Sequence, residues 1–291
     1  MMIFQKNRGY ELKIGDAKTG DGILVTDLQI TFDINKSSSN KAKRNSCAIE
    51  IYNLSDQSLD LIDEEYIAAE FSAGYHDVGL AKLFSGQVIQ KSTRKSGADR
   101  VTQIQMGTGY TDLNHTALSK LVAPGRTIKD VMEEIRKTMP GVSRGVYAGV
   151  NLNSSVIHGY PLIGNPKAIL DNLSETYGIE YRVNDGVLYA NDANGTIDEN
   201  YNEAYVVGRD SGLIELPYRT SGDPLRTKKD KQKKEGVQWK MLLNPNIIPG
   251  TILKLEDDRL GGWYKVTEIR HYGSFRENDW YTDVYCDIKN T

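Results

Sequence analysis

The chain has 291 residues, of which 26% are charged and 39% hydrophobic, and its 36 basic and 39 acidic residues leave a net charge of −3. No apolar run approaches the roughly 18 residues of a membrane-spanning helix, and residues 1–15 lack the apolar stretch of a signal peptide. This composition excludes collagen-like, coiled-coil and wholly disordered chains, and it disfavours nucleic-acid binding through a globally basic surface.

The composition also favours β-structure. The chain contains 27 glycines and 17 tyrosines, and tyrosine suits pleated surfaces while glycine supplies turns. By its length it holds two or three domains of about 100–200 residues each. Its two cysteines, Cys47 and Cys286, lie far apart in alternating apolar segments. We predict two buried thiols rather than a disulfide, as in a protein from a reducing compartment.

The first hundred residues alternate apolar and polar positions in the manner of β-strands. The segment from Ile23 to Ile34 changes phase near Asp27, which predicts one strand with a bulge. A polar loop over 36–45 separates it from a second alternating segment over 47–51. These two segments predict a long hairpin.

A short helix is predicted after this hairpin. Ser55 is placed to cap a helix that begins at Asp56 and ends near Glu65, with Leu54 and Leu59 at the two staple positions. Alternation then resumes over 67–75, 83–90 and 101–106. We expect these elements to form a small antiparallel barrel or sandwich.

Helical spacing begins after about Tyr110. Thr127 is predicted to cap a helix that ends at Met139-Pro140-Gly141, and Asn165-Pro166 begins a second helix that ends at Gly178. A hairpin around Asn184-Asp185-Gly186 follows. These elements predict a small α+β unit.

The last ninety residues are again predicted to be strands. Their segments are 206–208, 237–243, 251–255, 263–272 and 280–288. The polar segment 218–236 has no apolar periodicity and predicts a flexible loop. The resulting fold class is mostly β, with an α+β unit inserted between two β-domains.

No enzymatic, metal or cofactor site is predicted. The four histidines lack zinc-binding spacing, and the chain has no phosphate loop, nucleophile elbow or dinucleotide motif. The acidic pairs Glu133-Glu134 and Asp257-Asp258 are interpreted as solvated positions, because adjacent side chains point apart. The segment from Asp192 faintly resembles a calcium loop, but its glycine comes fourth rather than sixth. We interpret that segment as a turn.

The strongest local charge lies in the segment 226–235, which carries a net charge of +4. Its basic residues are Arg226, Lys228, Lys229, Lys231, Lys233 and Lys234. A weaker basic group lies in the loop after the first hairpin strand and consists of Lys36, Lys41, Lys43 and Arg44. Both loops are candidate partner contacts. A protein contact, a DNA contact and a solvated loop stay open, although no interleaved aromatic residues favour base stacking.

Several motifs, taken in order, resemble those of phage baseplate hub proteins. The stretches FDI at 32–34, AIEIYNLS at 48–55 and FSGQV at 84–88 resemble the first domain of that family. The region 127–189 resembles its small α/β insertion, and LLNP at 242–245 with PG at 249–250 resembles its closing β-domain. The positions that carry the resemblance are Phe32, Asp33, Asn53, Leu54, Ser55, Gly86, Leu243, Asn244, Pro245 and Gly250.

The resemblance implies a function and a set of partners. The family includes the tail-hub proteins of contractile phages, the late control protein D group and the N-terminal part of type VI secretion spikes. It implies a homotrimer in which each subunit supplies two tube-like antiparallel β-barrel domains. Six such domains form a pseudo-hexameric ring between the hexameric tail-tube protein and the trimeric central spike protein. Other baseplate proteins and the tape-measure protein are further implied partners, without membrane or specific nucleic-acid binding.

We therefore predict a first tube-like barrel over 1–110, an α+β insertion over 111–204 and a second barrel over 205–291. A short similarity between 84–89 and 263–269 fits a duplicated domain. The implied location is the tail baseplate of a virion, after synthesis in the host cytoplasm. An alternative function is a carbohydrate-binding or peptidoglycan-degrading tail component, favoured by the tyrosine-rich β-structure. A third hypothesis is contact of the ring lumen with DNA or tape-measure protein.

Overall fold

The computed structural model describes residues 7–15, 21–39, 45–62, 67–193, 195–197, 204–220 and 236–288. Within these ranges the chain forms eighteen β-strands and four α-helices. The architecture is mostly β, as the sequence predicts, and three of the four described helices lie in the middle region. Among the described helices, none has both the length and the apolar content that crossing a membrane requires.

The N-terminal unit consists of seven strands and one short helix. Its strands bury every second residue, as Ile30, Phe32 and Ile34 illustrate, because successive side chains point to opposite faces. Its elements are β1 (Arg8–Gly15), β2 (Gly22–Val25), β3 (Ile30–Ser37), β4 (Ser46–Tyr52), α1 (Asp56–Leu61), β5 (Ala68–Tyr75), β6 (Gly79–Ser96) and β7 (Asp99–Gly107).

The middle unit contains the other three helices. Its elements are α2 (Tyr110–His115), β8 (Leu118–Val122), α3 (Ile128–Arg136), β9 (Ser143–Ala148), β10 (Tyr160–Gly164), α4 (Pro166–Tyr177), β11 (Ile179–Asn184) and β12 (Val187–Asp192). Thr127 and Asp130 form the reciprocal cap of α3, and Gly178 ends α4 with φ 63°. β8 pairs with β10, while β9, β12 and β11 form a three-stranded sheet. Both predicted helices are confirmed.

The C-terminal unit is built from six strands. They are β13 (Tyr205–Val207), β14 (Tyr218–Thr220), β15 (Gly236–Leu242), β16 (Ile252–Leu255), β17 (Gly262–Ser274) and β18 (Trp280–Ile288). All but β14 correspond to predicted strands.

The strands of the two outer units form one sheet of thirteen strands within the described residues. The junction is β17, which pairs with β16 and β18 of its own unit and with β3 of the N-terminal unit. The strand order is β14-β15-β18-β17-β3-β4-β7-β6-β5-β1-β2, with β16 and β13 attached beside β17. The arrangement as two barrels stays a prediction.

Three hydrophobic cores lie beneath these sheets. One belongs to the N-terminal unit, one spans residues 113–190, and one spans residues 207–286. The first core also contains Leu243 and Trp280 from the C-terminal unit. The Trp280 ring meets Phe32 edge-on at 5.1 Å between centroids, and its Nε1 donates to the Gly74 carbonyl at 3.3 Å. The outer units therefore share a core as well as a sheet, and the three predicted domain boundaries stay a prediction.

The structure differs from the sequence predictions in several places. The helix α2 and the strands β8, β9 and β10 are not predicted, and α1 ends at Leu61 rather than near Glu65. β1 buries Tyr10, Leu12 and Ile14, although no strand is predicted there. Asp27 lies in a bend between β2 and β3, so the predicted bulged strand is two strands at different positions in the sheet. β14 is a strand within the predicted loop because its backbone pairs with β15.

Candidate assembly surfaces

The outward side of the joining sheet forms a polar face, which we call the polar sheet face. It runs over β15, β18, β17, β3 and β4, whose alternate residues point away from the cores. The Arg270 guanidinium binds the Asp33 carboxylate across β17 and β3, with Nη2–Oδ2 at 2.6 Å and Nε–Oδ1 at 3.1 Å. The Tyr272 and Tyr281 rings meet edge-on at 5.8 Å between centroids. The Arg270–Asp33 pair stabilises the junction between the outer units, and the tyrosine pair stabilises β17 against β18 within the C-terminal unit.

The polar sheet face is acidic. Its half-buried charged residues are Asp33, Glu50, Glu268, Asp283, Asp287, Lys240 and Arg270. Burial raises the pKa of Asp283, and hydrogen bonds to Glu215 and Tyr272 raise the pKa of Lys240. Two of these carboxylates are paired with arginines, Asp33 with Arg270 and Glu50 with Arg94.

A turn of the middle unit anchors it to the N-terminal unit. Between β11 and β12, Asp185 (φ 51°) and Gly186 (φ 76°) form the left-handed turn of a tight hairpin. Asp185 Oδ2 pairs with Lys36 Nζ at 2.6 Å, and Asp185 Oδ1 accepts from the Ser85 backbone N–H at 2.9 Å. Lys36 is 9% exposed, so its charge is neutralised inside the molecule.

Further polar contacts connect the same hairpin to both outer units. The Asn45 side chain donates to the Val183 carbonyl at 2.9 Å. Lys265 of β17 pairs with Glu180 of β11 at 3.0 Å. We call this set of contacts the polar joint: Lys36, Asn45, Ser85, Glu180, Arg182, Asp185 and Lys265. These contacts fix the middle unit against the continuous sheet.

Arg182 lies fully buried at the centre of the polar joint. Its Nη1 donates to the Ser38 carbonyl at 2.9 Å and to Asn191 Oδ1 at 3.2 Å, and its guanidinium lies 5.1 Å from the Tyr189 ring centroid. Nε and Nη2 have no hydrogen-bond partner among the described residues. Burial lowers the pKa of Arg182 to about 10. Gly250, with φ +88°, lies so close that a Cβ there would be 2.5 Å from Nη2.

The motif positions of the N-terminal unit have structural roles. Phe32 and Leu54 are buried in the first core, and Asp33 lies on the polar sheet face. Ser55 caps α1 by accepting from the backbone N–H three residues on, as predicted. Asn53 has φ 58° and binds β7 through its side chain, which fixes the turn before α1.

The remaining motif positions lie at close approaches and turns. Gly86 lies where a Cβ would collide with the backbone of β7. Leu243 is buried in the first core, and the Asn244 amide donates to the Tyr205 hydroxyl at 2.6 Å. Pro245 follows in a turn, and the Gly250 N–H donates to a β17 carbonyl at 2.7 Å.

The candidate partner-contact loops lie mostly outside the described residues. Only Lys36 is described, and it belongs to the polar joint. Lys41, Lys43, Arg44 and the basic residues of the segment 226–234 fall in the parts of the chain that are not described. Contact of these loops with a partner stays a prediction.

The acidic residues that were considered for catalytic or metal chemistry form ion pairs or hydrogen bonds within the protein. Glu133 and Glu134 form ion pairs with basic residues of α3 and β8, and those hydrogen bonds lower the pKa of Glu134 to about 2. The Asp192 carboxylate accepts hydrogen bonds from the backbone N–H groups of Val150 at 2.8 Å and Asn151 at 3.1 Å. It therefore fixes the loop that follows β9. Cys47 and Cys286 are buried free thiols, as predicted. In the described part of the chain, no group of three metal-ligating side chains is assembled.

Two features of the structure are not apparent from the amino-acid sequence alone. Alternation along β11 places Arg182 on an exposed side, yet both faces of that strand are covered. Ile214, Leu216 and Tyr218 are all exposed at one edge of the large sheet. The alternation of these three apolar residues is visible in the sequence, but only the structure shows that their side chains are exposed to solvent.

No protein-family model and no curated protein matches the sequence. Solved structures do match its fold. One is the 43 kDa tail protein of prophage MuSo2 from Shewanella oneidensis, with a TM-score of 0.67, 10% identity, and coverage of 97% of this chain and 98% of that chain. Another is the tail protein from Neisseria meningitidis, with a TM-score of 0.64, 13% identity and coverage of 97% of each chain.

A third similar structure comes from a secretion system. The E. coli c3393 protein is described as a component of the type VI secretion system with structural similarity to the phage T4 tail proteins gp27 and gp5. Its TM-score is 0.65 at 11% identity, over 96% of this chain and 77% of that chain. At such identities the likeness shows the fold, and the chain has the fold of these tail and secretion proteins over nearly its whole length.

Proposed function

We propose that the protein is a structural hub of a contractile phage tail or a phage-like tail. In this role it is a homotrimer that joins the hexameric tail tube to the trimeric central spike. The observation that carries the proposal is the pairing of β17 with β3, which unites two β units in one sheet within a tail-protein fold. Three chains with two β units each present six units, which is the number a sixfold tube requires.

The internal contacts support a rigid assembly component. The outer units share the first core through Trp280, and the polar joint holds the middle unit against both. A ring component that meets two different symmetries needs fixed positions for its surfaces rather than moving parts. The role is one of assembly and assigns no catalytic residue to the chain.

The partners of this hub are its own copies, the tail-tube protein and the central spike protein. Other baseplate proteins and the tape-measure protein are further proposed partners, and the proposed location is the tail of the virion.

The direct test is the mass of the purified protein alone and in mixtures. Mass photometry is expected to show three copies in the assembled state, and addition of the spike protein is expected to give a complex with three copies of each chain. A chain that stays monomeric alone and with both the spike and tube proteins contradicts the proposal.

A further inference from the structure

We propose that the middle unit binds a further tail protein through an apolar patch in basic surroundings, and that the contacting segment of this partner carries carboxylates beside aliphatic side chains. We call Leu121, Pro161 and Ile163 the apolar patch. This inference rests on the proposed function and goes beyond it, because it assigns a surface to a partner other than the copies of the hub, the tube and the spike.

The apolar patch lies on one face of the two-stranded ribbon that β8 and β10 form. Leu121 is directly opposite Pro161 in the register of the two strands, and Ile163 follows two residues later on the same face. Residues on the other face of the ribbon, such as Val122 and Leu162, are buried in the core that spans residues 113–190. The ribbon therefore has one packed face and one face turned outwards.

The apolar patch is exposed to solvent in the single chain. Leu121 and Ile163 are 67% and 73% exposed, and Pro161 is exposed as well. Among the described large apolar residues, the four with the greatest exposure all belong to the middle unit: Leu121, Val150, Ile157 and Ile163. Apolar side chains that are grouped on an ordered strand pair, rather than scattered singly, mark a site of contact with another molecule.

A groove connects the apolar patch to charged residues. The groove has a volume of about 390 Å³ and lies between β8 and α3. Leu121 lines it together with three basic residues, Lys120, Arg126 and Lys137. A segment that packs on the apolar patch therefore places its neighbouring side chains beside these cations.

Two carboxylates of α3 that also line the groove are already engaged within the chain. Glu134 pairs with both Lys120 and Lys137, so that one carboxylate serves two ammonium groups. Glu133 pairs with Arg136 at 2.8 Å between Oε1 and Nη2. These internal pairs reduce the positive charge at the groove without reversing it.

Asp130, the third carboxylate of the groove, is held at the start of α3. It accepts a hydrogen bond from the Thr127 backbone N–H at 2.9 Å, and the charges of Arg126 and Arg144 attract it as well. Residues 116–164 contain six basic residues and only these three acidic ones. The surroundings of the apolar patch thus carry a net charge of +3 in a chain whose net charge is −3.

The apolar patch and its charge together define the chemistry of the partner. Aliphatic side chains of the partner cover the apolar patch, and carboxylates beside them meet the excess positive charge. Two copies of this surface repel each other because both are basic. The thirteen-stranded sheet contains no strand of the middle unit, so a ring built from the outer units leaves the apolar patch to another protein.

Protection of an introduced thiol tests this surface. Ser119 lies opposite Ile163 on the exposed face, and the native Cys47 and Cys286 are buried, so Ser119→Cys adds one accessible thiol while keeping the apolar patch. A maleimide is expected to label this thiol in the purified protein and in its complex with the tube and spike proteins. In complete purified tails, labelling is expected to be about tenfold slower because the partner covers the thiol.

The labelling rates distinguish this inference from the hub proposal. Equally fast labelling in complete tails overturns the contact at the apolar patch and leaves the hub proposal standing. Slow labelling already in the complex with tube and spike shows that one of these chains or a second copy covers the apolar patch, which overturns the further partner. A chain that is absent from complete tails overturns the hub proposal and this inference together.

Photochemical cross-linking from the same thiol tests the chemistry of the partner. A benzophenone maleimide attached to the Ser119→Cys chain is irradiated in complete tails, and the cross-linked peptide is identified by mass spectrometry. The peptide is expected to come from a protein other than the hub, the tube and the spike, and to contain Asp or Glu beside Leu, Ile or Val. A peptide of the hub itself, or one with a net positive charge, overturns the inference.

A charge reversal tests the electrostatic part of the contact. In the Ser119→Cys chain, Arg126→Glu is expected to make labelling in complete tails about tenfold faster, because it places a negative charge at the groove. Arg209→Glu is the matched control: Arg209 is exposed in the C-terminal unit, and its reversal is expected to leave the labelling rate unchanged. Equal labelling rates in the two variants overturn the acidic character of the partner.

Discussion

Arg182 has no exposed surface, and its position depends on a neighbouring glycine. Gly250 adopts φ +88° and approaches the guanidinium so closely that no side chain fits between them. The guanidinium cannot move outwards without losing its bonds to Ser38 and Asn191. The position of the Arg182 guanidinium in the polar joint is therefore fixed by the space around it as well as by its charge.

Gly250→Ala is expected to lower the free energy of unfolding by about 3 kcal/mol, because it combines left-handed backbone strain with a clash against a buried charged group. Gly125→Ala is the matched control: Gly125 has φ +81°, but a Cβ there meets nothing within 4 Å. Its expected cost is about 1 kcal/mol from backbone strain alone. Urea unfolding measures the loss in free energy of unfolding for each variant. Equal losses in the two variants contradict the proposed clash with Arg182.

His271 makes the stability of the fold depend on pH. It is buried beside Thr282, with Nδ1 at 2.8 Å from Oγ1, and burial lowers its pKa from 6.5 to about 3. Between these values the unfolded chain binds a proton that the folded chain does not, so stability falls as pH falls below 6.5. The slope is about 1.4 kcal/mol per pH unit.

His271→Asn is expected to remove this slope between pH 6.5 and pH 4.5, as measured by urea unfolding at several pH values. The exposed His158 provides the control, and His158→Asn is expected to keep the wild-type slope. An unchanged slope in His271→Asn shows that another group is responsible.

Residue burial is predictable from the sequence where a strand has one covered side. Phe32, Ile34 and Cys47 follow the alternation and are buried. Arg182 departs from it because the middle unit packs against the outer units, a contact between residues distant in sequence. The full burial of a charged residue depends on that contact and so is not visible in its local pattern.

The hairpin β11–β12 is the element that connects the middle unit to the N-terminal unit. Its turn at Asp185 and Gly186 is predicted by the sequence, because these residue types tolerate positive φ. The structure adds the contacts at its tip, where Asp185 binds Lys36 and the backbone of Ser85. One carboxylate thus connects a hairpin to two strands of another unit.

Asp185→Asn is expected to lower the free energy of unfolding by about 2–3 kcal/mol, because it leaves the buried Lys36 without a counter-charge while an asparagine keeps the turn. Lys36→Met combined with Asp185→Asn is expected to cost less than the sum of the single changes. Lys120→Met, in an exposed pair with Glu134, serves as the control and is expected to cost about 0.5 kcal/mol or less. Chemical denaturation of the four variants gives the coupling energy, and strict additivity contradicts a buried ion pair.

Elements with local signals are the ones that the sequence predicts best. The caps at Ser55 and Thr127 and the end of α4 at Gly178 are all confirmed, since each depends on residues within one turn. The pairing of β17 with β3 joins residues more than two hundred positions apart and has no local signal.

The whole molecule is organised by one sheet that connects the cores of the two outer units. The resemblance found in the sequence anticipates a fold of the phage-tail kind, and the agreement with solved tail proteins confirms that part. The two closed barrels, the trimer and the ring stay proposals, because they concern closure and contacts beyond a single chain.

The basic segment 226–234 provides a prediction at this scale. If it meets a neighbouring copy, exchanging Lys228, Lys229, Lys231, Lys233 and Lys234 for glutamate is expected to impair assembly at every salt concentration tested by mass photometry. If it meets DNA, assembly is expected to persist and the salt dependence of DNA binding to change. Wild-type behaviour in both measurements contradicts either contact.

The most direct test of the hub proposal is electron cryo-microscopy of the protein in complex with its tail-tube and spike proteins. We predict three copies around a threefold axis, with the N-terminal and C-terminal β units alternating at six positions beneath the tube. A different copy number, or β units that lie outside the ring between tube and spike, contradicts the proposal.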